Sequence, residues 1–397
     1  MKPVQGLILA LHWFSVGLLQ PILSLMLLSR GCSLRTLPLA LGLYSMTVLL
    51  LEVPSGVFAD WRGRKATYVA ASALYAVSFG LLAGTETFGG VAAAMAFQGA
   101  GRAFSSGSLD ALVIDGAVAR GGDAALPGVT ARLMVVQNAG VALGALAGGL
   151  LPDSRGFRLH LLLKVALTAL CGLLAAGFLR DEDGPSAGAR PGLRVQLRQS
   201  AGLLRQNRPL WRLLACMAAL AGLMALVETY WQPAFRALSP AAPNWRLSLL
   251  CTGGFLLCTL ASLWAGRRTG GDEPARRWSA YRKLMLLLGG SALLLALPWG
   301  AAGFAGAYLL FYVLLGISGV REQTLLNGFS DSAHRATVLS MASLGCQLGA
   351  MGFNAASSPL VERFGFGGVW GLAGAGVVAV CLLAGRDRPG PFSGVSA

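Results

Sequence analysis

Long apolar segments, separated by short polar ones, run along almost the whole chain. Each is about as long as the roughly 20 residues that an α-helix needs to cross the hydrocarbon core of a bilayer. The strands of a membrane β-barrel would instead alternate apolar and polar residues over about 10 positions, so we predict helices. The predicted spans are 6–29, 37–59, 66–87, 89–116, 130–151, 159–179, 210–235, 247–265, 281–299, 302–322, 337–359 and 367–385.

The longest polar stretch divides these spans into two equal sets. We therefore predict an all-α membrane protein with 12 transmembrane helices in two six-helix bundles, the first over 1–179 and the second over 209–397. The stretch between them, 180–208, is predicted to be a cytoplasmic linker. Its leucines and arginines fit either a surface helix on the inner leaflet or a solvated tether.

The charge of the chain indicates its orientation in the membrane. Of the 397 residues, 55% are hydrophobic and 12% are charged, and 32 Lys and Arg against 17 Asp and Glu give a net charge of +15. If the N-terminus is cytoplasmic, most of the basic residues fall on the cytoplasmic side of the predicted spans, as the positive-inside rule requires. Both termini are then cytoplasmic, and we expect no nucleic-acid partner.

The sequence carries none of the common catalytic or metal-binding patterns. Its seven cysteines form no CxxC pair, and its three histidines are scattered. It has no G-x-x-x-x-G-K-[ST] loop for ATP, no G-x-S-x-G elbow and no H-E-x-x-H zinc motif. We therefore expect neither an enzyme nor a cofactor or metal.

A glycine-containing motif lies between the second and third predicted spans. It reads Gly56-Val-Phe-Ala-Asp60-Trp-Arg62-Gly63-Arg64-Lys65 and resembles the G-x-x-x-D-x-x-G-R-K signature of the major facilitator superfamily, in the position where that family carries it. The resemblance implies a secondary transporter in which this loop latches the inner gate in the outward-open state. The latch residues are then Gly56, Asp60, Gly63, Arg64 and Lys65. The alternative is that the basic residues of the loop serve only as topogenic charge.

Four glycines of the fifth predicted span resemble a second motif of the same superfamily. Gly140, Gly144, Gly148 and Gly149 match the core of its antiporter motif, G-x-x-x-G-P-x-x-G-G, with Ala145 in place of the proline. The resemblance implies export. A contact between two helices through small residues explains the same glycines equally well.

Ionisable residues inside the predicted spans are candidates for function, because each costs at least about 2.5–3.5 kcal/mol at a helix centre. They are Glu52, Arg102, Asp110, Asp115, Lys164 and Glu228. A four-residue spacing predicts a polar stripe along a single helix, formed by Gln98, Arg102, Ser106 and Asp110. Arg102 then either recognises substrate charge, pairs with a coupling carboxylate or forms a static ion pair. Asp115 and Lys164 are expected near helix ends in structural roles, with Lys164 within reach of the interface.

Three carboxylates are candidates for proton coupling: Glu52, Asp110 and Glu228. Glu52 lies two residues before a helix-bending proline and either carries protons or packs at the gate. Glu228 is followed by Tyr230, Trp231 and Pro233. Such a group suits a cation or amphiphile, but it is also typical of an aromatic belt at the membrane interface.

Together these features predict a multi-pass, monomeric transporter of the bacterial cytoplasmic (inner) membrane. We expect its substrate cavity to be lined by Trp13, Gln20, Gln98, Arg102 and Trp231. It is predicted to export a small, partly apolar molecule in exchange for protons by alternating access. Proton-coupled uptake of a metabolite and a non-transporting membrane sensor on the same scaffold are the alternatives.

Overall fold

The computed structural model describes residues 3–106, 108–122, 126–152, 156–180, 207–268, 274–328 and 335–384. Within these ranges every regular element is an α-helix, which confirms the all-α prediction. Nearly all of the predicted linker 180–208 lies outside the described residues. The helices are α1 (Pro3–Leu19), α2 (Leu23–Ser29), α3 (Leu37–Arg62), α4 (Arg64–Gly84), α5 (Phe88–Ser105), α6 (Leu109–Gly121), α7 (Leu126–Leu150), α8 (Arg158–Phe178), α9 (Arg208–Leu238), α10 (Asn244–Arg268), α11 (Pro274–Ala296), α12 (Gly300–Gly328) and α13 (Arg335–Ala384).

Many of these helices are long and apolar enough to cross a membrane. The described part of the chain holds nine such helices, and ten if α1 and α2 count as one bent span. The chain is therefore a multi-pass membrane protein. The fourth predicted span is divided between α5 and α6, and the last two predicted spans are joined in α13. The number of 12 spans remains a prediction.

Two predicted spans are interrupted. The first, 6–29, breaks between α1 and α2, whose axes differ by 60°. Pro21 lies at this break, where its ring and its missing N–H prevent a regular helix. The first predicted span is therefore bent at Pro21, if α1 and α2 together form one span.

The fourth predicted span is also discontinuous. The prediction of a polar stripe along a single helix is therefore wrong. Ser106 has extended backbone angles, φ −61° and ψ 117°. Serine hydroxyls compete with the helix here: Ser105 Oγ donates to the carbonyl of Arg102 at 3.1 Å, and Ser108 Oγ donates to that of Ser105 at 2.9 Å. The helix resumes at Leu109.

The chain forms two compact units. The first comprises Met1–Arg190 and Ala241–Thr252, and the second comprises Pro191–Pro240 and Gly253–Ala397.

In the first unit, α1 and α7 run parallel at very close range. Three of the four glycines of the predicted antiporter motif make this contact. A Cβ on Gly144 would collide with the carbonyl oxygen of Phe14, and one on Gly148 with that of Leu18. A Cβ on Gly140 would lie 2.9 Å from that of Trp13, while Gly149 is also buried. These small residues let the two backbones touch.

The helix α8 runs antiparallel to α1. Near the start of α8, Lys164 Nζ donates to the carbonyl oxygen of Ser15. Two turns further along α8, Cys171 Sγ lies 3.9 Å from the carbonyl oxygen of Ile8. α1 is thus held between α7 and α8.

In the second unit, the first part of α13 runs parallel to α9. A Cβ on Gly349 would meet the backbone of Ala218, and one on Gly222 would meet the ring of Phe353. The residue numbers of these contacts increase together along α9 and the first part of α13, so the two segments are parallel.

The last part of α13 runs the opposite way, because the chain turns at Gly365. This residue has φ 65° and ψ −175°, angles that only glycine adopts readily. Beyond it, the ring of Phe366 lies 5.8 Å from that of Tyr230, and Trp370 Nε1 donates to the carbonyl of Leu226 at 3.2 Å. Along this part of α13, higher residue numbers contact lower residue numbers of α9, so it runs antiparallel to α9. α13 therefore contains two antiparallel segments, as the predicted spans 337–359 and 367–385 require.

The α1–α7 contact predicts a position-dependent cost of adding one methyl group on α7. Gly148→Ala is expected to lower the free energy of unfolding by about 1–3 kcal/mol, because its Cβ meets the backbone of α1. Gly128→Ala on the same helix, where no atom lies within 4 Å of the added Cβ, should be neutral or stabilising. Thermal unfolding of the two purified variants in detergent measures the difference. Equal melting temperatures would contradict this account of the contact.

Candidate functional site: a polar cavity in the first unit

A cavity of about 250 Å³ lies inside the first unit, among residues of α1 to α5 and α8. Of the five residues predicted to line a substrate cavity, Trp13, Gln20, Gln98 and Arg102 lie in its wall. The fifth, Trp231, belongs to the second unit, where it is fully buried. A smaller cavity of about 120 Å³ shares Trp13 and Arg102 with the larger one.

His12 of α1 lies in the wall of both cavities. Its Nδ1 is 3.3 Å from the hydroxyl of Tyr68 on α4. Its ring lies 5.4 Å from that of Trp13 and 6.3 Å from that of Tyr75. A single histidine in an apolar run carries no signal in the sequence, and only the fold reveals its aromatic and polar neighbours.

Lys164 was expected near the interface, but it is buried. Only 5% of its side chain is exposed. Its ammonium donates to the carbonyl of Ser15 and lies 3.2 Å from the hydroxyl of the same residue. It also lies 5.1 Å from the centre of the Phe79 ring. Lys164 thus forms part of the wall of the larger cavity.

Arg102 is placed near the end of α5, just before the helix breaks. Asp110 and Arg102 both line the smaller cavity, although they lie on different helices, and their charges interact. In the larger cavity, the charge of Arg102 also acts on the hydroxyl of Tyr44. The interruption of the fourth span therefore brings a guanidinium and a carboxylate to one polar site.

Gln98 carries an unused hydrogen-bonding atom. It lies one helical turn before Arg102, and its Oε1 is buried without a partner among the described residues. A buried acceptor without a partner costs about 1–3 kcal/mol. A bound molecule or water in the cavity can supply the missing donor.

The gate motif is almost entirely helical, whereas the sequence predicted a loop. α3 continues through Asp60, and α4 begins at Arg64. Only Gly63 separates them, with φ 86° and ψ 163°. Its carbonyl accepts a hydrogen bond from Thr67 Oγ1 at 2.7 Å. The two helices therefore turn on a single residue whose backbone angles require glycine.

Glu52 does not lie in either of these cavities. Its side chain is exposed, which contradicts the burial expected for it. The helix continues through Pro54, and Ser55 Oγ donates to the carbonyls of Glu52 and Ala103, each at 3.0 Å. Ser55 thus ties α3 to α5, while the Glu52 carboxylate points elsewhere.

Glu228 lies in the second unit and accepts a hydrogen bond from the hydroxyl of Tyr312 on α12. Its neighbours Tyr230 and Trp231 are fully buried, so they do not form an interfacial aromatic belt. The ring of Trp231 lies 4.9 Å from that of Tyr308. Glu228 therefore belongs to a packed aromatic cluster between α9 and α12.

A further carboxylate was missed by the sequence reading. Glu322 lies near the end of α12, and its Oε2 accepts a hydrogen bond from Tyr281 of α11 at 3.1 Å. It lies at the edge of a predicted span, next to Arg321, and so resembles an ordinary loop charge in the sequence. Among the described residues, no group of His, Cys, Asp or Glu is arranged to hold a metal ion.

The chain is similar to known transporters in sequence pattern and in fold. Residues 6–321 match the family model of the Major Facilitator Superfamily. The structure is similar to that of the nucleoside transporter NupG, with a TM-score of 0.81 and 13% identity over 97% of this chain and 98% of that one. It is also similar to an inward-facing, unoccupied bacterial homologue of the human lysosomal transporter Spinster, with a TM-score of 0.71 and 13% identity over 97% and 96% of the two chains. No curated protein sequence matches the chain.

A helical membrane protein with a polar cavity among its spans has the form of a transporter and not of an enzyme. The match over most of its length shows that the chain belongs to the Major Facilitator Superfamily. Its substrate is accordingly a small molecule, and the chain acts while embedded in a membrane.

The Tyr312–Glu228 hydrogen bond predicts a measurable coupling inside the second unit. Tyr312→Phe removes the donor and leaves the Glu228 carboxylate partly unsatisfied, which should cost about 1–3 kcal/mol. In a chain that already carries Glu228→Gln, Tyr312→Phe should lower the free energy of unfolding much less than it does in the native chain. A double-mutant cycle of unfolding free energies in detergent measures this coupling. Additive losses would show that the bond does not stabilise the unit.

Proposed function

We propose that the chain is a secondary active transporter that exports a small, partly apolar molecule in exchange for protons. The observation that carries the proposal is the cavity of the first unit, where Arg102, Lys164 and His12 face a shared space inside apolar helices. Polar groups at membrane depth are expensive and mark the path of a substrate or ion. Aromatic and aliphatic side chains complete the wall and suit a partly apolar molecule.

The proposal includes the topology predicted from the sequence. The chain spans the bacterial cytoplasmic (inner) membrane 12 times, with both termini in the cytoplasm, and works as a monomer by alternating access. Within the first unit α7 runs parallel and α8 antiparallel to α1, and within the second unit the two parts of α13 run parallel and antiparallel to α9, as the predicted order of spans requires. The basic residues of the gate motif lie on the cytoplasmic side in this topology.

Asp110 is the best placed of the three proposed proton carriers. It shares a cavity with Arg102, so gain or loss of its proton changes the charge that a substrate meets. Glu52 is exposed outside these cavities, and Glu228 is engaged by Tyr312. We therefore assign the main coupling role to Asp110 and a secondary one to Glu228.

The gate motif supports alternating access. Only Gly63 separates α3 from α4, and Asp60, Arg64 and Lys65 lie in the helical turns on either side of it. Charges held in helical turns are positioned to form and break contacts as the inner gate opens. The close α1–α7 contact made by Gly144 and Gly148 supports export through the resemblance of these glycines to the antiporter motif.

Proton-coupled uptake of a metabolite is the second candidate function. A transporter of nucleosides has a similar fold, and Gln98 offers a polar contact of the kind that a hydrophilic metabolite uses. A membrane sensor that does not transport is a third candidate, and the open polar cavity favours it less.

Proton movement in sealed proteoliposomes tests the proposal. With the purified chain and a panel of compounds, a transported substrate should drive protons in the opposite direction to itself. Asp110→Asn should abolish this proton movement, because an amide cannot carry a proton, whereas Glu52→Gln should leave most of it intact. A pH-sensitive dye inside the vesicles records the flux.

Two results would contradict the proposal in different ways. Protons that move with the substrate would show symport and uptake. Coupled flux that survives Glu52→Gln, Asp110→Asn and Glu228→Gln would show that none of these carboxylates carries the proton. Empty vesicles and vesicles with the Gly63→Pro variant, which cannot adopt φ 86°, provide controls for leak.

A further inference from the structure

Asp110, whose charge interacts with that of Arg102, lines the smaller cavity, and the larger cavity of the first unit has basic side chains without an acidic one in its wall. Lys164 of α8 and Arg102 of α5 both line it, and none of the residues that the structure places in this wall is Asp or Glu. The charges of both residues act on His12, so they share one electrostatic environment. A cavity of this kind favours an anionic occupant.

Lys164 is the more buried of the two basic residues that line the cavity. Its side chain is 5% exposed, and the described groups that it contacts are the neutral Ser15 and the ring of Phe79. An ammonium has three donors, and Ser15 accounts for two of the contacts. A cation buried at membrane depth is normally paired or functional, so a bound anion is the partner that this site lacks.

Arg102 is more exposed than Lys164, but it lines the same cavity. Its charge acts on Tyr75, and the rings of Tyr75 and Phe79 are stacked 6.2 Å apart, one turn from each other on α4. One turn of helix rises about 5.4 Å. Lys164 lies over Phe79, and both cations line the cavity to which this pair of rings contributes. The planar guanidinium suits a carboxylate, which it can bind with two parallel hydrogen bonds.

The remainder of the wall combines neutral polar side chains, such as Gln20 and Gln98, with aromatic and aliphatic ones. Trp13, Tyr75 and Phe79 contribute rings, and Leu19 and Met95 contribute aliphatic surface. The cavity volume of about 250 Å³ limits the occupant to a small molecule. Such walls bind flat or aliphatic groups through burial and ring contacts.

We propose that this cavity binds a small organic carboxylate, with the carboxylate on Lys164 and Arg102 and the apolar part against Trp13 and Phe79. This inference rests on the proposed transport function and specifies its substrate class. It differs from the cation or amphiphile suggested by Glu228, which lies in the second unit.

Matched probes of equal shape and different charge test the proposal. Benzoate and hexanoate are compared with benzamide and hexanamide, and with benzylammonium, by calorimetry and thermal stabilisation of the full chain in detergent. Both carboxylates should bind and raise the melting temperature more than the neutral or cationic probes do. Lys164→Gln and Arg102→Gln should each weaken benzoate binding about tenfold or more, as expected for a lost charge-assisted hydrogen bond.

Two further variants control for effects on folding and net charge. Lys283→Gln removes an exposed lysine of the second unit and should leave benzoate binding unchanged. Lys164→Arg keeps the charge and should retain more binding than Lys164→Gln. If Lys164→Gln does not fold, the comparison of benzoate with benzamide on the native chain decides the question.

The proposal is overturned if none of the probes binds, if the amides or benzylammonium bind as tightly as the carboxylates, or if both Gln variants bind benzoate like the native chain. The assay contains no membrane and no proton gradient. Its failure therefore leaves export and proton coupling to be judged by the flux measurement, and a wrong direction of transport leaves the binding result intact.

Discussion

The cost of placing a charge among apolar helices governs the arrangement of the first unit. Lys164, Arg102 and Asp110 lie within spans where hydrocarbon cannot solvate them, so each must face protein, water or a ligand. The fold buries Lys164 and half-buries Asp110, while the more exposed Arg102 lines both cavities. The Lys164 ammonium contacts Ser15 and the ring of Phe79. After the break that follows α5, Asp110 lines the smaller cavity together with Arg102. The polar interior of the unit follows from this constraint.

Small residues make that interior possible. Because Gly144 and Gly148 let α7 touch the backbone of α1, the bulky residues of α1 are directed to its other faces. Trp13 and His12 then line the cavity, and Ser15 meets Lys164 of α8. α1 thus packs against the glycines of α7 on one side and lines the cavity on another. The close packing and the cavity therefore depend on the same helix.

The sequence predicted most of the apolar helices because hydropathy is a property of local segments. Its errors lie at helix breaks and chain reversals, which depend on single residues. The break after Ser105 arises from hydroxyls that bond to the backbone, and the reversal at Gly365 depends on one backbone conformation. Arg102, Trp13, Gln20 and Gln98 were predictable as polar or aromatic residues in spans. His12 and Lys164 were not, because their role comes from helices far apart in the chain, and Glu52 was misplaced because depth in a span does not reveal which way a side chain points.

Transport through the cavity of the first unit requires water to reach it from one side of the membrane, and thiol reactivity tests this requirement most directly. In a chain with its native cysteines replaced, Gln98→Cys lies in the cavity wall, and Phe97→Cys replaces a side chain that is 40% exposed on the outer surface of the same helix. A charged, membrane-impermeant thiol reagent applied to membrane vesicles should modify the half-buried Gln98→Cys much faster than the more exposed Phe97→Cys, because lipid covers the second position. Equal rates, or faster modification of Phe97→Cys, would contradict the account.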